Sequence, residues 1–427
     1  MIALRAVVCI VAVSIAAGCA AAVDEPATGP PPARDRYVSE LPRSVSVARM
    51  RQHLVALQKI ADAHGGTRVA GGPGYAASVR YVRDALAAAG YQPKVSSFPF
   101  TSYRERREVA RQLTPVQRPI RVEAIDYSPS TPAGGLRGRV APADNGCEPG
   151  DFAGVRGKIA IASRGVCFIF QKAQNAAAAG ATALLVFNPE PGPIDATLGD
   201  PNASSIPVAA VEPSIGRSLL GATDATVSLE LTTVKRRTTS QNVIAGTHGQ
   251  GRVLLVGAHL DSVLAGAGIN DNGSGVAAVL EIARVVRTRA PRLAVRFAFW
   301  SAEEFGLIGS RAYASGVDAA QLAGYLNFDM LGTRGGSAGV YKGPFAQRLL
   351  GYFEQRGQRA ELVDLTGRSD NFPFEQLGVP TGGLFAGVDT CYHTRCDRLG
   401  GIDFALLKQL ASAAAYGVAA IAPIRPG

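Results

Sequence analysis

The chain has little histidine, no long basic block and no short-period repeat. Only five histidines occur in 427 residues, so imidazole chemistry can draw only on His53, His64, His248, His259 and His393. The formal net charge is +10, but the densest basic stretch, Arg104, Arg106, Arg107 and Arg111, also holds Glu105 and Glu108. No basic run interleaves with aromatics. The pattern describes a solvated face and excludes a nucleic-acid-binding arm. The lack of a repeat excludes a solenoid or propeller. What remains is 47% hydrophobic, enough to bury more than one core, so at least two globular units are expected.

The first apolar run, residues 6–17 behind Arg5, is too short to cross a bilayer as a helix and reads as an export signal. Ile15-Ala16-Ala17-Gly18-Cys19 resembles the lipobox of bacterial lipoproteins, with Ala16 where Leu is usual. The resemblance makes residues 1–19 a lipoprotein signal peptide and Cys19 the lipidated residue; an ordinary signal peptide is the alternative. Residues 20–40 are small, Pro-rich and polar, a tether rather than a core. The expected location is the cell surface, touching membrane only through the lipid, or outside the cell as a secreted chain. Beyond Cys9 and Cys19, four cysteines remain, Cys147, Cys167, Cys391 and Cys396. An even four in an exported chain suggests two disulfides; three pairings are possible, and proximity favours Cys147 with Cys167 and Cys391 with Cys396.

Val47, Met50, Leu54, Leu57, Ile60 and Ala61 have the spacing of a helix over 46–63. Tyr75, Val79, Val82 and Leu86 predict another over 74–89, stopped by Gly90. Residues 136–231 differ: short β-type runs at 158–162 and 183–187 flank one Ala-rich helix at 171–179, the texture of an inserted domain. From about residue 242, strands at 253–258, 295–300 and 325–328 alternate with helices at 275–288 and 307–315. This βαβ rhythm predicts a mainly parallel sheet.

The candidate chemistry lies at the ends of those strands. His259-Leu260-Asp261 follows an apolar run, so the imidazole emerges where open α/β sheets place ligands; Asp261 is expected to accept its second N–H. Asp271 follows in Asn270-Asp271-Asn272-Gly273. Alone this reads as a helix N-cap turn, but a carboxylate can bridge two cations. Glu303-Glu304 follow the strand ending at Trp300 and can divide the roles of general base and metal ligand. Asp329 sits in an apolar segment, where a charge must be paired or metal-bound. Tyr392-His393 lie between Cys391 and Cys396. Five ligands of mixed nitrogen and oxygen type suit zinc better than calcium. They imply a two-metal hydrolytic site.

At these residues, and at Gly367-Arg368-Ser369-Asp370, the sequence closely resembles the bacterial dizinc aminopeptidases, in the clan that includes glutamate carboxypeptidase and the transferrin receptor. Gly146-Cys147, Gly157-Lys158-Ile159-Ala160, Arg164-Gly165-Val166-Cys167 and Lys172-Ala173-Gln174-Asn175-Ala176 resemble the protease-associated (PA) domain. The resemblance implies two Zn2+, one on His259 and Asp329, the other on Glu304 and His393, bridged by Asp271. It makes Glu303 the general base, Tyr392 an oxyanion donor and Arg368 a substrate-binding residue. The expected fold is α/β, a mainly parallel mixed sheet flanked by helices (the phosphorylase/hydrolase-like zinc exopeptidase fold) with an inserted β-rich PA domain. The expected boundaries are 41–134 and 235–427 for the peptidase and 135–234 for the insertion.

The expected activity is hydrolysis of the N-terminal bond of peptides. Met330 and Phe385 are candidates for an apolar pocket. The alternatives are a glutamate carboxypeptidase-like or dipeptide-specific peptidase, a single-zinc cyclase, and a receptor-like scaffold without activity. The complete ligand set argues against the last two.

Overall fold

The computed structural model describes residues 38, 40–190, 194, 196–249, 251–288, 291 and 293–422. The signal segment, Cys19 and most of the tether lie outside the described residues.

Two helices open the fold. In α1 (Val47–Ala63), Ser46 caps the first turn and Met50, Leu54, Leu57 and Ala61 form the buried face. Helix α2 (Pro73–Ala88) begins on a proline, whose missing N–H costs nothing at that position, and buries Tyr75, Val79, Val82 and Leu86. Gly90 follows at φ +86°.

The chain then runs through β1 (Lys94–Thr114), β2 (Arg118–Ile120), β3 (Val122–Ala124), β4 (Leu136–Pro142), β5 (Ile159–Ser163), α3 (Ile169–Ala178), β6 (Ala183–Phe187), β7 (Val208–Val211), α4 (Pro213–Gly221) and β8 (Thr226–Gly246). Strands β4, β5, β6 and β7 pair in parallel in that order, and β3 closes the edge antiparallel to β7. The sheet of the insertion therefore takes a strand from before residue 135.

The second half holds β9 (Val253–His259), α5 (Gly275–Arg287), β10 (Ala294–Trp300), α6 (Ile308–Ala314), β11 (Leu322–Phe328), β12 (Gly339–Tyr341), α7 (Ala346–Glu354), β13 (Glu361–Val363), α8 (Phe372–Glu375), β14 (Thr381–Phe385) and α9 (Phe404–Ile421). Strands β10, β9, β11 and β14 are mutually parallel neighbours, so their C-terminal ends share one edge. Helices α1, α5 and α9 bury their apolar faces in one core with these strands.

Strands β1 and β8, each 21 residues long, form an antiparallel ribbon from Lys94↔Ile244 to Thr114↔Thr226. The ribbon joins the two halves: β8 pairs with β10 at one end and with β4 at the other. Its middle, including Arg104, Arg106 and Arg107, is exposed. Phe98, Phe100 and Tyr103 of β1 pack in a core shared by the insertion and by Ala302 and Phe305 of the second half; the rings of Phe100 and Phe305 are 5.4 Å apart. The insertion is thus packed against the turn that follows β10.

Candidate active site

Four of the candidate residues stand at or just beyond the C-terminal end of a parallel strand. His259 ends β9, Glu303 and Glu304 follow β10, and Asp329 follows β11. Asp271 arrives on the turn Ile269–Ser274 ahead of α5. Gly268 makes that turn possible: its φ is +61°, and a Cβ there would lie 2.2 Å from the Asp271 carbonyl oxygen. Ala302, Met330 and His393 also have positive φ, so three non-glycine residues in the left-handed region flank or form the site, where local strain is commonly held by the surrounding structure.

The carboxylate of Asp271 sits between two imidazoles. Its Oδ1 is 3.1 Å from His259 Nε2 and its Oδ2 is 3.1 Å from His393 Nε2. His259 Nε2 is 3.4 Å from Asp329 Oδ1, and His393 Nε2 is 3.0 Å from Glu304 Oε2. Donor atoms of His259, Asp271 and Glu304 lie within 4.8 Å of one another, as do those of His259, Glu303 and Asp329. The disulfides Cys147–Cys167 and Cys391–Cys396 are formed; the second fixes the loop on which the Tyr392 ring stacks against His393, centroids 3.9 Å apart.

Crowding so many acids in a buried space shapes their titration. Burial pushes Glu304 up to about 7. It also raises Glu303, with the charges of Asp370, Glu304 and Asp329 adding to it. Burial would raise Asp271 too, but the two imidazoles hold its carboxyl below the usual value. For His259 burial acts to lower the pKa, and the charges of Glu303 and Asp329 overcome it.

Asp261 lies 3.8 Å from His259 Nδ1, wider than a hydrogen bond. Its carboxylate instead accepts the N–H groups of Glu303 (3.3 Å) and Glu304 (3.4 Å), so it braces the turn carrying both glutamates. His53, His64 and His248 take no part; His53 bonds Tyr81, and His64 bonds the Ile60 carbonyl.

The site opens into a cavity of about 870 Å3 between the two halves. Tyr392, Arg368, Met330 and Phe385 line it beside the acids and imidazoles, and Val166 and Phe168 face it from the insertion.

Residues 242–418 match the model of peptidase family M28, and residues 136–219 match that of the PA domain. An aminopeptidase of Pseudomonas aeruginosa is 35% identical over 88% of this chain and 81% of its own length. The Mycobacterium tuberculosis protein named "Probable lipoprotein aminopeptidase LpqL" is 37% identical over 91% of this chain and 87% of its own. The chain belongs to peptidase family M28. Among solved structures, the aminopeptidase from Aneurinibacillus sp. strain AM-1 superposes with a TM-score of 0.78 at 28% identity, covering 91% of this chain and 97% of that one. BSAP, a zinc aminopeptidase from Bacillus subtilis, gives 0.67 at 26% identity, covering 87% and 95%.

The M28 site fits a divalent cation on its own chemistry. Buried Glu304 Oε1 and Asp329 Oδ1 accept no hydrogen bond among the described residues, a costly state for an acid oxygen unless another ligand meets it. Mixed imidazole and carboxylate donors suit zinc.

Three groups to which the sequence assigns no role support the site in this M28 chain. Ser369 donates to Asp329 Oδ2 at 2.7 Å and receives Asn327 Nδ2 at 2.8 Å; Asn327 Oδ1 in turn accepts from Tyr325, and Tyr325 from Trp300. Asp397 accepts the N–H groups of Asn270 (2.7 Å) and Asp271 (3.0 Å). Arg68 is fully buried and donates to the carbonyls of Leu260, Ala267 and Gly268. Ser369 stands in the Gly367-Arg368-Ser369-Asp370 motif without a role of its own; nothing local marks Arg68 or Asp397.

Proposed function

We propose that this chain is an exported, zinc-dependent aminopeptidase that hydrolyses the N-terminal bond of peptides and favours apolar first residues. The observation that carries the reading is the placement of Asp271, one oxygen toward each imidazole. That arrangement supports two zinc ions, one on His259 and Asp329 and one on Glu304 and His393, with Asp271 common to both. Zinc bound there supplies Lewis-acid polarisation and acidifies water.

The remaining work falls to the chain itself. Glu303, which follows β10 and clusters with His259 and Asp329, is suited to take a proton from the attacking water and deliver it to the departing amine as the carbon–nitrogen bond breaks. Tyr392, held against His393 by the disulfide loop, donates to the oxyanion, and Arg368 steadies the bound peptide. Met330 and Phe385 give the first side chain an apolar floor. The names of the Pseudomonas and Bacillus relatives support aminopeptidase chemistry, and that of the mycobacterial relative supports a lipid anchor at Cys19.

The test compares leucyl-p-nitroanilide with its N-acetylated form, with and without a chelator. Cleavage of the free-amine substrate alone, lost to the chelator and restored by zinc, is expected. Equal cleavage of the blocked substrate, or indifference to the chelator, overturns the proposal.

A further inference from the structure

The insertion carries an exposed apolar cluster that no structural role consumes. Val166 is 89% exposed, Phe168 51% and Phe170 37%, although large apolar side chains are more often buried. The three sit within five residues of sequence, and all line the cavity that holds the candidate active site. Phe168 and Phe170 stack on each other at 5.6 Å, interplanar angle 17°. Phe168 also crosses to the peptidase half: its ring is 6.5 Å from that of Phe372, and a Cβ on Gly367 would meet it at 3.3 Å.

The cluster is held in place. Cys167, between Val166 and Phe168, is bonded to Cys147. The buried Lys172 ammonium donates to the Gly165 carbonyl at 3.0 Å and to that of Asn145. Val166 has φ +65°, a conformation a β-branched residue adopts only under constraint. A ligand meeting these side chains would lose little of its affinity to ordering them.

Resting on the aminopeptidase reading, we infer that Val166, Phe168 and Phe170 form the subsite for the side chain of the second residue of the peptide, and select apolar residues there. The first residue has one side chain, and the floor for it is made by Met330, which follows Asp329, and by Phe385, which ends β14. The insertion forms a separate wall of the same cavity, next to the Gly367-Arg368 segment. A departing chain crossing the cavity meets this wall next, and a flat pair of stacked rings suits an aromatic or branched aliphatic group.

The test uses the full chain with zinc present and four dipeptide amides, Leu-Phe, Leu-Ala, Leu-Leu and Gly-Ala. In F168A/F170A, the kcat/KM ratio of Leu-Phe to Leu-Ala should fall by roughly tenfold, the scale of discrimination a small apolar contact supplies, and Leu-Leu should follow it. The ratio of Leu-Ala to Gly-Ala, which reports the first residue, should hold. F168L/F170L, which keeps an apolar wall, should retain most of the second-residue ratio and serves if the alanine pair folds poorly. An unchanged second-residue ratio overturns the inference while the peptidase reading stands; so does a loss confined to the first-residue ratio. A parent chain that cleaves none of the four overturns both.

Discussion

Replacing Arg68 with methionine removes a guanidinium that ties the N-terminal helices to the loop between His259 and Asp271. The side chain is fully buried, and it donates to Ala267 O at 2.9 Å, to Gly268 O at 2.6 Å and to Leu260 O. Burial works against its charge, and Asp261, Asp397 and Asp271 support it. Methionine keeps much of the stem but offers no donor, so three carbonyls lose their partner at about 1–3 kcal/mol each. Relief of the guanidinium's own desolvation offsets several kcal/mol of that sum. The net loss expected is about 3–5 kcal/mol, the range seen when one partner of a buried charged cluster is removed. With an unfolding entropy of about 2.1 cal/mol/K per residue, a chain of this length should melt roughly 5 °C lower. Scanning calorimetry reads the shift, and R68K should recover little of it because an ammonium cannot span three carbonyls in one plane. An R68M chain melting within about 1 °C of the parent refutes the reasoning.

Three further outcomes are expected. E303Q should lower turnover by roughly 10²–10⁴-fold, the contribution of a positioned general base, with zinc content unchanged; retained activity removes Glu303 from that role. D397N should weaken zinc binding roughly tenfold or more, as loss of a group that orients a ligand does, because one of the two acceptors holding the Asn270 and Asp271 N–H groups is gone; competition with a fluorescent chelator measures it, and an unchanged affinity counts against the brace. Burial depresses His53 to about 4, below its unfolded value of about 6.5. The unfolded state therefore takes the proton first, so stability is fully present above pH ~6.5 and is lost as pH falls toward 4. Between pH 7 and 5 this amounts to about 2 kcal/mol, and H53Q should flatten that limb of a urea-denaturation series by a similar amount; an identical pH slope in the variant contradicts it.

His259, Asp271, Glu303, Glu304 and Asp329 stand out as candidates in the sequence because each follows a short apolar run or opens a helix, whereas His393 is marked by its loop between Cys391 and Cys396. β9, β10 and β11 each end at or one to four residues before a candidate residue, so local pattern alone put His259, Glu303, Glu304 and Asp329 on one edge. The ribbon of β1 and β8 was not legible. Its middle is exposed on both faces, which erases the alternation that marks a strand, and its partner lies more than a hundred residues away in the chain. Asp261 was expected against the His259 ring on adjacency, yet it braces the backbone of Glu303 and Glu304 instead. Arg68, Asp397 and the aromatic pair Phe168 and Phe170 act across the fold, and single residues of common types carry no signal of a distant partner.

The most direct measurement is zinc content of the purified full chain beside activity on leucyl-p-nitroanilide. Two zinc ions per chain are expected, with D271A losing both metal and turnover, since its carboxylate faces both imidazoles. Fewer than one zinc per chain in an active preparation, or a D271A chain that keeps both metal and activity, would contradict a two-metal site built on these five residues.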